Sequence, residues 1–184
     1  MEKYISAPLT EECAKTLRAG DMVYISGVVY SARDAAHERM SKALDEGKPL
    51  PFDISGSIIY YLGPSPARPG RVIGSAGPTT ASRMDKYTPR LIDMGLIGMI
   101  GKGKRTKEVK DAIKRRGAVY FAAIGGAGAL LSKCITAAET IAYEDLGTEA
   151  IRKLTVKDLP VIVLIDSDGT DLYETEPPKY AKKP

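Results

Sequence analysis

Thr79, Thr80 and Arg83 set two hydroxyls and a guanidinium close together in the run Gly77-Pro78-Thr79-Thr80-Ala81-Ser82-Arg83-Met84-Asp85. The run follows a strand-like segment and opens a helix-like one. At a helix start, backbone N–H groups lack intrahelical partners and the positive end of the dipole points outward, so anions are favoured. A small carboxylate or a phosphate suits such a place. Gly77-Pro78 predicts a rigid turn that holds the hydroxyls. One threonine can act as a helix cap, which leaves the other without that explanation. Two more basic signals, Ser31-Ala32-Arg33-Asp34 and Gly101-Lys102-Gly103, also follow apolar strand-like runs. Together they predict one anion site assembled from several strand ends. Arg33 supports this: the dipole of a helix start disfavours a cation, so an arginine there needs an anionic partner.

Other candidates have plainer explanations. His37 lies four residues after Arg33 on the same helix face. It could contact a substrate, but a neighbouring carboxylate that satisfies it is the preferred reading. Asp34 reads as a capping or orienting carboxylate, and Ser31 with Asp34 resembles a capping box. Gly125-Gly126-Ala127-Gly128 follows a strand, but Leu131 stands where a dinucleotide fingerprint needs its last small residue. A turn with close backbone packing is expected there. Gly98 and Gly103-Lys104 have P-loop spacing, yet Arg105 replaces the hydroxyl residue that would hold magnesium. Tyr24, Tyr30, Tyr60 and Tyr61 read as core or sheet-face residues.

The elements that must position these groups are legible in outline. Strands are expected at residues 3–7, 22–30 (with an internal glycine), 57–62, 71–75, 96–100, 118–124 and 161–165. Helices are expected at 10–18, 32–45, 82–94 and 107–116, the last ended by Gly117. Pro89 predicts a kink or a late start in the third. Helices and strands alternate, but some strands come in adjacent pairs. The pattern predicts a single α/β domain, a mixed sheet with flanking helices, over residues 1–176. Residues 177–184 form a Pro/Lys-rich tail expected to be poorly ordered.

The 184 residues fit one domain able to bury its own core. A formal charge of +4, and a basic run at residues 102–107 without interleaved aromatics, argue against nucleic acid. That run reads as part anion site and part solvated face. No apolar run is long enough for a membrane helix. Charges at Glu2, Lys3, Glu11, Glu12 and Lys15 argue against a secretion signal, so a cytoplasmic protein is expected. Cys13 and Cys134 form no metal-binding pair and read as reduced, buried thiols. Two cysteines and one histidine are too few for a self-sufficient metal or iron–sulfur site.

The chain resembles the β region of class I fumarate hydratases and the related tartrate dehydratases, which are iron–sulfur hydro-lyases. The resemblance runs from about residue 21 to 173. It rests on Ser31-Ala32-Arg33-Asp34-Ala35-Ala36-His37, on residues 77–85 as quoted above, and on Gly101-Lys102-Gly103. The second motif is highly specific, and the other two add order and spacing. The resemblance implies a swivelling β/β/α domain. It implies a [4Fe–4S] cluster held by cysteines of a separate α region, and hence a hetero-oligomer with a cluster-bearing α subunit. It carries the base role to Thr79 and carboxylate binding to Arg33, Thr80, Arg83 and Lys102. Ser82 stands where the family often has glycine, and the α region is expected on a separate partner chain.

The implied reaction is reversible addition of water to a C=C bond between carboxylates, interconverting malate and fumarate. Dehydration needs a Lewis acid on the departing hydroxyl, a base at C3, and cations at the carboxylate where charge develops. Arginines can grip a carboxylate bidentately, and Lys102 adds a point charge. Threonine is a weak base unaided, so a proton-relay role for Thr79 is open. L-Tartrate or another hydroxy-diacid is the alternative substrate. A non-catalytic module that binds organic anions is the alternative of another class.

Overall fold

The computed structural model describes residues 2–181. Its strands are β1 (Glu2–Ala7), β2 (Met22–Ser31), β3 (Ile58–Tyr60), β4 (Gly98–Gly101), β5 (Val119–Ala122), β6 (Ile135–Ala142) and β7 (Ile151–Ile165). Its α-helices are α1 (Glu11–Thr16), α2 (Asp34–Asp45), α3 (Thr88–Asp93), α4 (Lys107–Arg116), α5 (Gly128–Leu131), α6 (Leu172–Thr175) and α7 (Pro177–Tyr180). Neighbouring strands from β1 to β5 pair in parallel, whereas β7 runs antiparallel to β2, β5 and β6. Because β7 pairs with both β5 and β2, the sheet closes on itself through β2–β3–β4–β5–β7. The expected mixed sheet with flanking helices is therefore present, as a closed one.

Alternation along the strands builds two cores, one on each face of this ring. Ile58, Tyr60, Ile100 and Phe121 join one with Val23, Ile25 and Val163. Ile59, Tyr61, Met99 and Tyr120 join the other, under the apolar stripes of three helices. Those stripes are Ala36 and Met40 on α2, Leu91 and Ile92 on α3, and Val109, Ala112 and Ile113 on α4. Gly117 ends α4 in the left-handed conformation, as its position suggested. Gly27, inside β2, has φ +113°, and a Cβ there would lie 2.2 Å from the Ala7 carbonyl oxygen. That close approach, with a bulge against β7, is why β2 carries a glycine.

Several expectations are corrected. Residues 71–75 form no strand; Gly74 there packs against Ser65 too closely for any Cβ, within a long irregular loop. The helix expected at 82–94 is a 3-10 turn at Ala81–Met84 followed by α3, whose late start places Pro89 in its first turn. The last strand is far longer than residues 161–165, and its partner β6 was not expected. Cys13 and Cys134 are free thiols but only half-buried. Of the tail, residues 177–180 form the turn α7, and residues 182–184 lie outside the described residues. No helix among the described residues is long and apolar enough to cross a membrane.

Candidate functional site

The three motifs meet at the same ends of neighbouring parallel strands. β2 delivers Arg33, β3 delivers Tyr61, and β4 delivers Lys102. After β3 the chain loops away and returns through Gly77-Pro78, so that residues 79–81 wedge between Tyr61 and Lys102. The Thr79 N–H donates to the Tyr61 carbonyl at 2.7 Å, and the Ala81 N–H donates to the Lys102 carbonyl at 2.9 Å. Thr80 and Lys102 thereby face each other across an isolated parallel bridge. Lys102, Thr80 and Arg83 are exposed and Thr79 is half-buried. Among the described residues none of their side chains has a hydrogen-bond or ion-pair partner.

This geometry revises how the anion site works. Thr80 occupies the N-cap position of the 3-10 turn, but its side chain makes no capping bond. The Lys102 carbonyl already takes the Ala81 N–H, so neither hydroxyl is consumed as a cap. A four-residue turn also carries little dipole. A helix start therefore offers little to an anion here, and the positive charge at this edge is that of Arg83 and Lys102 themselves.

Arg33 stands slightly apart, where β2 gives way to α2. Its Nη2 pairs with Glu149 Oε1 at 3.1 Å and approaches Asp34 Oδ1 at 3.5 Å. The anionic partner that the helix-start argument demanded thus lies within the chain, in the 3-10 segment Glu144–Glu149. The capping box does not form. Arg33 is the N-cap without a side-chain bond, and the Ser31 hydroxyl is buried and unpartnered. Instead Glu149 Oε2 accepts the Ala35 N–H at 3.0 Å and caps α2 from 114 residues away. No local pattern announces Glu149.

His37 is corrected as well. It is fully buried and makes no bond to a carboxylate. Nδ1 lies 2.8 Å from the Arg33 carbonyl, while Nε2 has no partner. Burial lowers its pKa to about 4, so the ring is neutral at pH 7 and Nδ1–H donates. Edge-on contact with Tyr61, at 5.5 Å between centroids, places it on the core side of the motifs.

Beneath the exposed cations lies a guanidinium with a different task. The basic run at residues 102–107 suggests part anion site and part solvated face, but the Arg105 side chain is wholly buried. Its Nε donates to Asp85 Oδ1 at 2.7 Å and its Nη2 to Thr88 Oγ1 at 3.0 Å. The ring of Tyr120 sits 4.8 Å from its guanidinium carbon, and that tyrosine's hydroxyl donates to the Gly103 carbonyl at 3.1 Å. Asp85 Oδ2 accepts the Thr106 N–H at 2.6 Å. Arg105 therefore ties the end of the threonine motif to the loop that presents Lys102.

The glycine-rich segment is the close-packed turn expected of it. The Ala76 N–H donates to the Gly128 carbonyl at 3.0 Å, and a Cβ on Gly128 would lie 2.8 Å from the Gly77 nitrogen. Gly98, Met99 and Ile100 belong to buried β4, so the P-loop spacing has no loop to serve. A groove of about 590 Å³ opens nearby between Pro64, Val72, Ile73, Thr140, Thr148 and Arg152, but none of the candidate residues lines it.

Comparison with known proteins matches the sequence to a family. Residues 3–176 fit the model of the family described as Fumarase C-terminus, and the chain belongs to that family. Fumarate hydratase 2 of Leishmania major is 40% identical over 156 residues, 84% of this chain and 28% of that protein. The aerobic class I fumarate hydratase of Escherichia coli (strain K12) is 40% identical over 152 residues, 82% of this chain and 28% of that protein. This chain thus spans little more than a quarter of those relatives. A protein of Methanocaldococcus jannaschii named putative L(+)-tartrate dehydratase subunit beta is 36% identical over 187 residues, 98% of this chain and 96% of that one. The relatives are hydratases and a dehydratase, lyases of carbon–oxygen bonds.

The [4Fe–4S] cluster implied by the resemblance does not fit this chain's own residues. Cys13 and Cys134 are the only thiols, and burial raises the pKa of each, against the thiolate a metal needs. Among the described residues no group of three or more His, Cys, Asp or Glu side chains could hold a metal ion.

Proposed function

We propose that this chain is the β subunit of a hydro-lyase that interconverts malate and fumarate, active in the cytoplasm with a cluster-bearing α subunit. The observation that carries the reading is the Thr79–Thr80–Lys102 bridge. Two uncommitted hydroxyls and an unpaired ammonium share one exposed edge beside Arg83. Arg83, Lys102 and Thr80 bind the carboxylates of the diacid, and Arg33 supplies a further donor edge. Thr79 Oγ takes the proton from C3, directly or as a relay, while hydroxide departs from C2 and the C=C bond forms. Cations at the adjacent carboxylate stabilise the charge that develops there. Departure of the hydroxide falls to groups outside this chain, consistent with an edge that is open on one side.

L-Tartrate is the second reading. It is favoured by the near end-to-end correspondence with the chain named as a tartrate dehydratase subunit. Co-expression with a cysteine-bearing α chain, then anaerobic assay on malate, fumarate and tartrate, separates these readings. The chain alone should be silent and should take up no stoichiometric cluster on reconstitution with iron and sulfide. Cluster formation on this chain alone overturns the two-subunit reading. Binding of diacids without turnover in the assembled pair leaves the anion-binding module.

A further inference from the structure

Arg33 is held from two sides, and neither neighbour has a role in the reaction proposed above. In front, Glu149 Oε1 takes Arg33 Nη2 at 3.1 Å, while its second oxygen takes the Ala35 N–H at 3.0 Å. A carboxylate anchored through both oxygens cannot swing away without uncapping α2. Behind, the guanidinium crosses the bare backbone of Gly63. A Cβ on Gly63 would lie 2.9 Å from both Arg33 Cδ and Nη1, and 3.3 Å from the Thr148 carbonyl oxygen. The Arg33 side chain is only 20% exposed, and its Nε is buried without a partner. One edge of the guanidinium is thus taken by the chain, and Nη1 has no hydrogen-bond partner among the described residues.

We infer that Glu149 is a positioning residue for the anion site: with Gly63 it locks the Arg33 guanidinium so that its Nη1 side is offered to a substrate carboxylate. This rests on the hydro-lyase reading for the identity of the ligand, but the lock itself does not. It changes what Arg33 does. The arginine offers a single fixed edge in place of a free two-pronged fork, so it selects a carboxylate by direction as well as by charge. The 3-10 segment that carries Glu149 becomes part of the site although it lies more than 100 residues from Arg33 in sequence.

Two variants and two readouts test this. Glu149→Gln keeps an amide oxygen for the Ala35 N–H but removes the charge opposite Arg33, so a residue that is only a helix cap should tolerate it. Gly63→Ala pushes the guanidinium from the other side. In the assembled enzyme, each should raise KM for malate by about 10-fold or more and change kcat much less. In the full chain labelled with ¹⁵N, the buried Arg33 Nε–H should exchange slowly with water, its signal assigned by its loss in Arg33→Lys. That signal should pass into fast exchange in Glu149→Gln. An unchanged Nε–H signal overturns the inference, and so does an unchanged KM in both variants. Absence of turnover by the assembled wild type counts against the hydro-lyase reading instead, and the Nε–H signal then decides the inference by itself.

Discussion

The chain has a single histidine, and it is fully buried, which gives an unusually clean prediction for stability against pH. His37 has a pKa of about 4 in the folded protein, held down by burial, against an ordinary value of 6.5 once unfolded. Above pH 6.5 the ring is neutral in both states and folding is unaffected. As the pH falls below 6.5 the unfolded chain takes up a proton that the folded one refuses, so stability is lost progressively down to about pH 4. At pH 5 the native ring is still largely neutral and the unfolded ring largely charged. The difference is roughly 2 kcal/mol, from about 1.4 kcal/mol per pH unit beneath the unfolded value. Between pH 5 and 6.5 no other side chain has its ordinary midpoint.

Urea melts at pH 7 and pH 5 measure it, on the wild type and on His37→Phe and His37→Gln. Each variant loses the bond to the Arg33 carbonyl and is weakened at both pH values. The informative quantity is the change in stability between the two pH values within one protein, where that loss cancels. Wild type should lose roughly 2 kcal/mol and either variant much less. A pH dependence of equal size in all three would refute the reasoning, because the acid sensitivity would then belong to carboxylates and not to His37.

The other predictions concern the site. Thr79→Ala in the assembled enzyme should lower kcat by about 10²–10⁴-fold, whereas Thr80→Ala should act mainly on KM; steady-state kinetics on malate separate the two. Arg83→Lys, at an exposed position, should leave the thermal melt unchanged and cut kcat/KM on the order of 10–100-fold, through loss of a charge-assisted bond worth roughly 1.5–3 kcal/mol. Arg105→Met, unlike Arg83→Lys, should cost about 3–5 kcal/mol in a denaturant melt, because Asp85 is left buried and uncompensated.

Much of the framework was legible because local signals and tertiary structure agree. Residues 107–116 show helical spacing and a terminal glycine, and α4 follows both. The run around Ile59 is a strand because burial on both faces rewards it, and the one around Val23 because alternate residues are buried. β6 escapes a sequence reading because Ala137, Ala138 and Glu139, types depleted in strands, interrupt its β-branched residues; pairing with β7 makes the segment extended. β7 was recognised only at its apolar end, since Lys153, Thr155 and Lys157 alternate outward on a face that sequence alone does not identify. The site divides along the same line. The motif residues are short-range patterns and could be read directly, whereas Glu149 acts through a contact that depends on the whole ring closing. Arg105 was misread because five of the six residues from 102 to 107 look solvated, and a charge run gives no sign of which member turns inward.

That inward turn bears on how the cationic edge exists at all. Arg83 and Lys102 have like charges and, among the described residues, no side-chain partners, so nothing in their own chemistry fixes where they sit. Only backbone can do so, and the backbone bonds that do are few: Ala81 N–H to the Lys102 carbonyl, and the longer Lys102 N–H to the Thr79 carbonyl at 3.3 Å. Two such rungs resist mutual repulsion only if the segments that carry them cannot drift. The buried Arg105–Asp85 pair supplies that restraint, since it joins the end of one segment to the end of the other in a low-dielectric interior where charge-assisted bonds are strong. An edge of unpaired cations is thus stabilised from underneath by a paired one. On the hydro-lyase reading proposed above, a bound diacid supplies the negative charge that this edge lacks.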